Sequence, residues 1–317
     1  MLSKQFIERV ILLIISSCLM YYVTIMLIEK TNGLDLDISK TEINELQSKL
    51  NKNIELNKYE KSLLSSIVYP NDITTSLSDI GGHEDIKKRL HKTLFTPFSS
   101  KLSNVTDPLF SPPNGIILFG EPGTGKTLFA KAIAKELKGM FISCSPSVFE
   151  NKLYGESSKL IKALFSLASK LKPAVIFIDE IDGILGKRND YDQSLVNETK
   201  TIFLSEMDGI TSKNRNIVLI GATNKIGSID KAVLRRMRLH INVPLPDIEA
   251  RYSILNLYLK KYDIDLTDIV QKTDGFSGSD LFELCKLAGL ECISNNKDII
   301  SLADLEIALS QLVHSTS

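Results

Sequence analysis

Residues 120–127 read Gly-Glu-Pro-Gly-Thr-Gly-Lys-Thr, and they directly follow the apolar run Gly115-Ile-Ile-Leu-Phe. This is the pattern G-x-x-x-x-G-K-T at the end of a strand, which is typical of a phosphate-binding P-loop. Glycines let the backbone turn so that its N–H groups point at phosphate oxygens. A helix that begins at about Thr127 adds the positive end of its dipole. The strand before the loop and the apolar helix after it favour a nucleotide site over an ordinary glycine turn.

Two side chains of this loop carry the expected chemistry. Lys126 is predicted to reach the β- and γ-phosphates of ATP, and the hydroxyl of Thr127 is predicted to hold Mg²⁺. ATP and Mg²⁺ are therefore the predicted cofactors. The loop residues predicted to contact the nucleotide are Gly120, Glu121, Pro122, Gly123, Thr124, Gly125, Lys126, Thr127 and Leu128.

A pair of acids follows a second apolar run, Ala174-Val-Ile-Phe-Ile, at Asp179 and Glu180. A strand that is buried on both faces is apolar throughout rather than alternating. Its carboxyl end is expected to deliver Asp179 to Mg²⁺ through water and Glu180 to the attacking water, as a general base or as the group that orients it. The sequence thus predicts a Walker B strand and a hydrolytic site.

A third apolar run covers residues 216–224 and ends at Asn224. An asparagine in this position either forms the turn after the strand or hydrogen-bonds the γ-phosphate or the lytic water. Its place at a parallel strand end beside the P-loop favours the second interpretation. Asn224 is therefore a third predicted catalytic residue.

Strands and helices alternate over this part of the chain, with a further short strand predicted at Met140-Phe-Ile-Ser-Cys. Such alternation predicts a doubly wound parallel sheet, with ligand at the carboxyl ends of its strands. Residues 247–317 show helical apolar periodicity and no strand signal. We therefore expect a large α/β ATPase subdomain at 76–246 and a small helical lid at 247–317.

Composition narrows the partners of the chain. The 317 residues carry a formal net charge of zero, so no basic surface indicates nucleic acid. The cysteines are scattered without a C-x-x-C pair, which favours neither a zinc site nor a disulfide framework. A reducing compartment is the simpler expectation. The four cysteines are Cys18, Cys144, Cys285 and Cys292.

The stretch 10–28 follows a short segment, 1–9, and contains no charged residue. At ~1.5 Å per residue it matches the ~30 Å hydrocarbon core of a bilayer, which predicts a single-pass membrane anchor. A signal peptide would have a shorter apolar core and a cleavage site, and a buried core helix would be unusually apolar. Residues 29–75 are predicted to form either a helical stalk or a loosely ordered tether. Since the ATPase needs ATP, we expect it to face the cytosol.

These pieces together resemble the AAA family of ATPases, from about Leu77 to the C-terminus. Leu77-Ser-Asp-Ile-Gly-Gly is similar to the family's opening segment, and 275–281 (Gly-Phe-Ser-Gly-Ser-Asp-Leu) is similar to the sensor 2 region of its lid. The resemblance implies that both segments contact the nucleotide. The residues it assigns to this contact are Asp79, Ile80, Gly81, Gly278 and Ser279.

The resemblance also implies a ring, with a hexamer as the family's usual assembly. The family's arginine fingers correspond to Arg235 and Arg236, which would act on the γ-phosphate of a neighbouring subunit. Without the family, the same pair would be interpreted as a solvated basic turn.

Within the family, the chain is most similar to the membrane-anchored branch of mitochondrial outer membranes and peroxisomes, which extracts mislocalised tail-anchored proteins. The similarity lies in 56–60, 68–70, 153–157 and 275–281, and in the order of anchor, linker and single ATPase domain. It implies a lipid bilayer and client membrane proteins as partners. The implied pore loop that grips the client comprises Leu153, Tyr154 and Gly155.

Two other functions are compatible with the same motor. One is an ATPase that disassembles or severs protein polymers near a membrane. The other is a nucleotide-locked scaffold that recruits partners without catalysis. The intact pair Asp179-Glu180 argues against the scaffold, since a degenerate motor usually loses these acids.

Overall fold

The computed structural model describes residues 48, 54–99, 112–150, 156–186, 194–213 and 216–316. The chain divides into two compact units, 1–65 and 66–317. The predicted membrane anchor 10–28 and the predicted pore-loop residues Leu153, Tyr154 and Gly155 lie outside the described residues. Within the described ranges, no helix has both the length and the apolarity needed to cross a bilayer.

In the first unit, helix α1 spans Lys58–Lys61 and begins with a capping box. The backbone N–H of Glu60 donates to the Asn57 side chain at 2.9 Å, and the Asn57 N–H donates to the Glu60 carboxylate at 2.7 Å. Both bonds satisfy donors that a helix start leaves without partners. Part of the segment predicted as stalk or tether is therefore helical.

The second unit is built on a sheet of six strands within the described residues, in the order β1-β3-β4-β5-β2-β6. Strand β1 runs antiparallel to β3, and the remaining neighbours are parallel. The strands are β1 Ile67–Val68, β2 Gly115–Phe119, β3 Met140–Cys144, β4 Ala174–Ile178, β5 Ile217–Thr223 and β6 Leu239–Asn242. This arrangement confirms the predicted doubly wound parallel core.

The central strands are apolar because both of their faces are covered. Every residue of β4 and β5 is buried. Val175 and Phe177 share a core cluster with Phe129 and Ile133 of the P-loop helix. Ile176, which alternates with them and points to the opposite face, is fully buried as well.

The helices of this α/β part cover the sheet and connect its strands. A π-helical turn at His91–Phe95 separates α2 from α3. The P-loop helix α4 begins one residue before the predicted start, at Lys126. The helices are α2 Glu84–Leu90, α3 Thr96–Ser99, α4 Lys126–Glu136, α5 Ser147–Glu150, α6 Glu156–Lys170, α7 Asp182–Leu185, α8 Ser194–Lys213 and α9 Lys231–Arg236.

The two edge strands, β1 and β6, were not predicted from the sequence. Ile67 pairs with Ile142 of β3, so the sheet begins inside the segment 29–75 that the sequence predicts as linker. At the other edge, Ile241 pairs with Leu118 of β2. Both strands are too short to show a period of their own, and pairing with a longer neighbour defines them.

The C-terminal part is helical, as predicted, and the described residues 247–316 contain no strand. Its helices enclose a separate apolar core that includes Leu255, Leu281, Leu284 and Leu305. Ser277 caps the longest of them through a capping box with Asp280. The helices are α10 Ile248–Leu259, α11 Thr267–Lys272, α12 Gly278–Ser294 and α13 Leu302–Thr316.

Candidate nucleotide-hydrolysis site

A cavity of about 530 Å³ lies at the carboxyl ends of β2, β4 and β5, between the sheet and the lid. Of the predicted nucleotide contacts, Gly120 and Glu121 do not line it. The predicted residues that do line it are Asp79, Ile80, Gly81, Pro122, Gly123, Thr124, Gly125, Lys126, Thr127, Leu128, Asp179, Glu180, Asn224, Gly278 and Ser279. Segments far apart in the chain therefore converge on one site.

The P-loop has a backbone that glycine alone adopts easily. Gly123 has φ +75°, and a Cβ there would lie 2.5 Å from the Ser277 hydroxyl oxygen. Gly120 has φ +150°, and a Cβ there would lie 2.1 Å from the Val243 carbonyl oxygen. A side chain at either position would force the loop, or the strand or lid against it, to move.

Lys126 is folded back onto this loop. Its ammonium donates to the carbonyls of Gly120 at 2.9 Å and Glu121 at 2.7 Å, so these two residues hold the lysine rather than line the cavity. Burial lowers the pKa of Lys126 from its ordinary value, and the charges of Asp179 and Glu121 oppose that shift. Both hydrogen-bond acceptors of the lysine are thus neutral carbonyls, which an anionic phosphate can replace.

The predicted Mg²⁺ ligands meet beside the lysine. The Thr127 hydroxyl donates to Asp179 Oδ2 at 3.3 Å. No cluster of three or more ligating side chains occurs among the described residues. A hydroxyl and one carboxylate fit Mg²⁺, which takes most of its oxygens from water and from the phosphates of a nucleotide.

Glu180 has an unusual backbone conformation for a residue with a side chain. Its φ is +47°, in the left-handed region, and its N–H donates to Asp179 Oδ1 at 3.0 Å. The Glu180 side chain is exposed to the cavity while that of Asp179 is half-buried. Holding a non-glycine residue in this region costs free energy, and residues strained in this way cluster at functional sites.

A hydrogen bond ties the loop of Glu180 to the loop of Asn224. The buried Thr223 hydroxyl donates to Asp182 Oδ1 at 2.6 Å, and it accepts from the Lys225 N–H at 3.0 Å. Asn224 is bracketed by these two bonds and stays exposed. A second cavity, of about 480 Å³, is also lined by Glu180 and Asn224 and by no residue of the P-loop.

The lid closes directly on the P-loop. The Ser279 N–H, in the first turn of α12, donates to the Gly123 carbonyl at 3.1 Å. Gly278 also lies close to this carbonyl, since a Cβ on it would be 3.3 Å away. The predicted contact of Gly278 and Ser279 with the site therefore has a geometric basis.

Several cavity residues were missed by the sequence reasoning. Tyr258 and Phe282, from two lid helices, have ring centroids 5.1 Å apart, and each is nearly half exposed. Burial lowers the pKa of His83 from its ordinary value. Ile254 and Tyr258 are four residues apart on α10 and so lie on one face of the helix, which was the available sequence signal for this wall of the cavity. The missed residues are His83, Thr223, Ile254, Leu257, Tyr258 and Phe282.

The predicted fingers, Arg235 and Arg236, do not line the cavity of their own chain. The Arg236 guanidinium donates to both carboxylate oxygens of Asp208, at 2.8 and 2.9 Å. This hydrogen bond raises the pKa of Arg236 and lowers that of Asp208. Arg235 is exposed at the end of the same helix. The two arginines are therefore in different states, one paired within its chain and one exposed.

Comparison with known proteins gives the family of this architecture. Residues 116–245 match the family described as "ATPase family associated with various cellular activities (AAA)", and residues 263–307 match the AAA+ lid domain. The chain is 42% identical to the human outer mitochondrial transmembrane helix translocase over 247 residues, covering 76% of this chain and 68% of that protein. It is 39% identical to the mitochondrial sorting homolog of Caenorhabditis elegans over 258 residues, covering 79% and 75%.

A solved structure agrees. The crystal structure of the FIGL-1 AAA domain in complex with ADP superposes with a TM-score of 0.69 at 31% identity, covering 82% of this chain and 92% of that one. The similarity therefore extends over most of both chains.

Proposed function

This chain belongs to the AAA family of ATPases, and we propose that it uses ATP hydrolysis to extract membrane proteins from a lipid bilayer by threading them through a ring. One observation carries the motor half of this proposal. The P-loop, the pair Asp179-Glu180 and Asn224 converge on one cavity that the lid helix α12 closes. The similarity to translocases of transmembrane helices supports the choice of client.

The chemistry follows from the positions of the side chains. Lys126 exchanges its two carbonyl partners for the β- and γ-phosphates, since its ammonium binds an anionic phosphate oxygen more strongly than a neutral carbonyl oxygen. Thr127, and Asp179 through water, would hold Mg²⁺, which would neutralise charge on the phosphates. Glu180 takes the proton of the attacking water or orients it, and Asn224 fixes the water or the γ-phosphate.

Arrangement along the chain completes the proposal. Residues 1–9 precede a membrane anchor at 10–28. Residues 29–75 link this anchor to the ATPase, whose α/β subdomain spans 76–246 and whose helical lid spans 247–317. The anchor places the protein in the mitochondrial outer membrane, or in that of a mitochondrion-derived organelle, with the ATPase in the cytosol. A peroxisomal membrane is the alternative. The names of the curated relatives support the mitochondrial choice.

A homohexameric ring is the proposed assembly. Of the predicted finger pair, Arg235 completes the site of the next subunit, where a positive charge stabilises the charge that develops on the γ-phosphate, while Arg236 stays paired with Asp208 of its own chain. The exposed position of Arg235 outside its own cavity supports a role in trans. In the ring, Leu153, Tyr154 and Gly155 line the pore, and the Tyr154 ring grips the threaded client through its large contact area.

Substituting Tyr154 with alanine tests the proposed client half of the function. We expect ATP turnover to stay within about twofold of wild type, while release of a tail-anchored client from liposomes falls at least about tenfold, because grip is lost and chemistry is not. Tyr252→Ala, at an exposed lid tyrosine outside the nucleotide cavity, is the matched control. An equal loss of turnover and release would instead make Tyr154 a packing residue.

The aromatic pair of the lid gives a prediction on nucleotide affinity. Tyr258→Ala and Phe282→Ala should each weaken ADP binding by about 1 kcal/mol, or about fivefold, because each removes an aromatic wall from the cavity. Titration with a fluorescent ADP analogue measures this, with Tyr252→Ala again as the control. Unchanged ADP affinity in both variants would show that the adenine base does not contact these rings.

A further inference from the structure

Lys200 in the middle of α8 is a buried cation whose role the hydrolysis site does not explain. Only 4% of its side chain is exposed. Its ammonium lies 2.7 Å from Asp230 Oδ2 and donates to the Gly186 carbonyl at 2.5 Å. A buried charge is tolerated only when it is paired and hydrogen-bonded. These two partners therefore fix where the lysine and its neighbours lie.

Asp230 uses its other carboxylate oxygen to begin α9, the helix that carries the arginine pair. Asp230 Oδ1 accepts from the Ala232 N–H at 2.8 Å, which makes Asp230 the N-cap. The Asp230 N–H donates to the Leu185 carbonyl at 3.1 Å. Gly186 and Ile229 form an isolated antiparallel bridge beside this bond. Lys200 therefore joins the start of α9 to the end of α7, the helix that follows Glu180.

The far end of α9 is fastened to the same long helix. Arg236 donates to both oxygens of Asp208, which lies two turns after Lys200 on α8. Helix α9 has only six residues, and so short a helix is not stable without contacts from outside. Two charged contacts to α8, at Lys200 near its start and at Asp208 near its end, therefore act together with the fully buried Val233 to hold the orientation of α9.

We propose that Lys200 is a positioning residue for catalysis in trans: by holding the cap of α9 it presents the exposed Arg235 to the nucleotide of the neighbouring subunit. The assignment depends on the proposed ring and its arginine fingers. Lys200 does not line the nucleotide cavity of its own chain. Losing its charge should therefore damage the neighbour's site and leave its own nucleotide binding intact.

Lys200→Met is the primary test, because methionine keeps most of the length and removes the charge. Alone, the variant should lose at least about tenfold in ATP turnover, less than the ~10³–10⁵-fold contribution of an arginine finger because the finger is displaced and not removed. Its affinity for a fluorescent ADP analogue should stay within about twofold of wild type. Asp230→Asn is the second variant, since asparagine still caps the helix but no longer pairs with the ammonium. The second variant keeps the test decisive where Lys200→Met fails to fold.

Mixing subunits separates an effect in trans from a general loss of structure. In a random equimolar mixture of Lys200→Met with Glu180→Gln, about a quarter of the interfaces combine an intact Glu180 with an intact finger helix. Turnover should then exceed that of either variant alone. Arg235→Ala mixed with Glu180→Gln is the positive control, and Lys126→Met mixed with Glu180→Gln, two defects of the same site, is the negative control.

The controls separate failure of this assignment from failure of the proposed ring. Recovery in the Lys200→Met mixture, matching that with Arg235→Ala, supports the assignment. Recovery with Arg235→Ala but not with either Lys200→Met or Asp230→Asn would overturn it, and so would full turnover of both variants alone. Failure of the Arg235→Ala mixture would contradict the finger in trans, and with it both the proposed ring site and the role of Lys200.

Discussion

Replacing Glu180 with glutamine is expected to lower ATP turnover by about 100-fold or more, the usual contribution of a general base. The amide keeps the size of the side chain, but it does not accept the proton of the attacking water. It also lacks the negative charge of the carboxylate. Binding of ATP and assembly should persist, because Lys126 and Thr127 are unchanged. Phosphate release at saturating ATP measures turnover, and fluorescence titration measures binding.

A matched control comes from the helix that follows the P-loop. Glu136 is exposed at the end of α4 and outside the cavity, so Glu136→Gln should keep the turnover of wild type. Near-normal turnover of Glu180→Gln would refute the assignment of the base. A fall in ATP affinity as large as the fall in turnover would show that Glu180 acts in binding instead.

Replacing Lys126 with methionine is expected to weaken ATP binding by about 3 kcal/mol, or roughly 100-fold, since charge-assisted bonds to two phosphates are lost. Its ammonium already lies within the loop, held by the carbonyls of Gly120 and Glu121. Lys131→Met, on the same helix and outside the cavity, is the control. If ATP bound equally well to both variants, the P-loop assignment would be wrong.

The sequence predicted the centre of the fold because pattern and burial agree there. Residues 174–178 and 217–222 are apolar throughout, and the structure buries each of them. The P-loop adds a motif whose glycines restrict the backbone to one shape. Such strands and loops are specified by local sequence, which explains why their bounds were predicted within about two residues.

The lid wall of the cavity could not be predicted in the same way. Leu255 and Leu257 are both apolar residues of one helix, yet Leu255 is fully buried in the lid core and Leu257 is 47% exposed at the cavity. Helical periodicity gives an apolar stripe without saying which neighbour covers it. Which of these residues is buried depends on the position of the lid relative to the P-loop. That position depends on contacts between distant segments, such as Ser279 with Gly123.

The arginine pair shows the same limit for charged residues. The sequence does not distinguish Arg235 from Arg236 as a candidate finger. In the structure, Arg236 pairs with Asp208 on another helix and Arg235 is exposed. Similarly, Lys200 looks like one more lysine of a surface helix until its burial against Asp230 is known. Long-range ion pairs have no local signature in the sequence.

Release of a client from a membrane tests the central claim most directly. The full-length chain is reconstituted in liposomes with a tail-anchored model client, and release is followed after ATP is added to wild type and to Glu180→Gln in parallel. ATP-dependent release by wild type alone is the result that we predict. Robust ATP hydrolysis by wild type without release would contradict extraction, and it would favour an ATPase that disassembles protein polymers near a membrane.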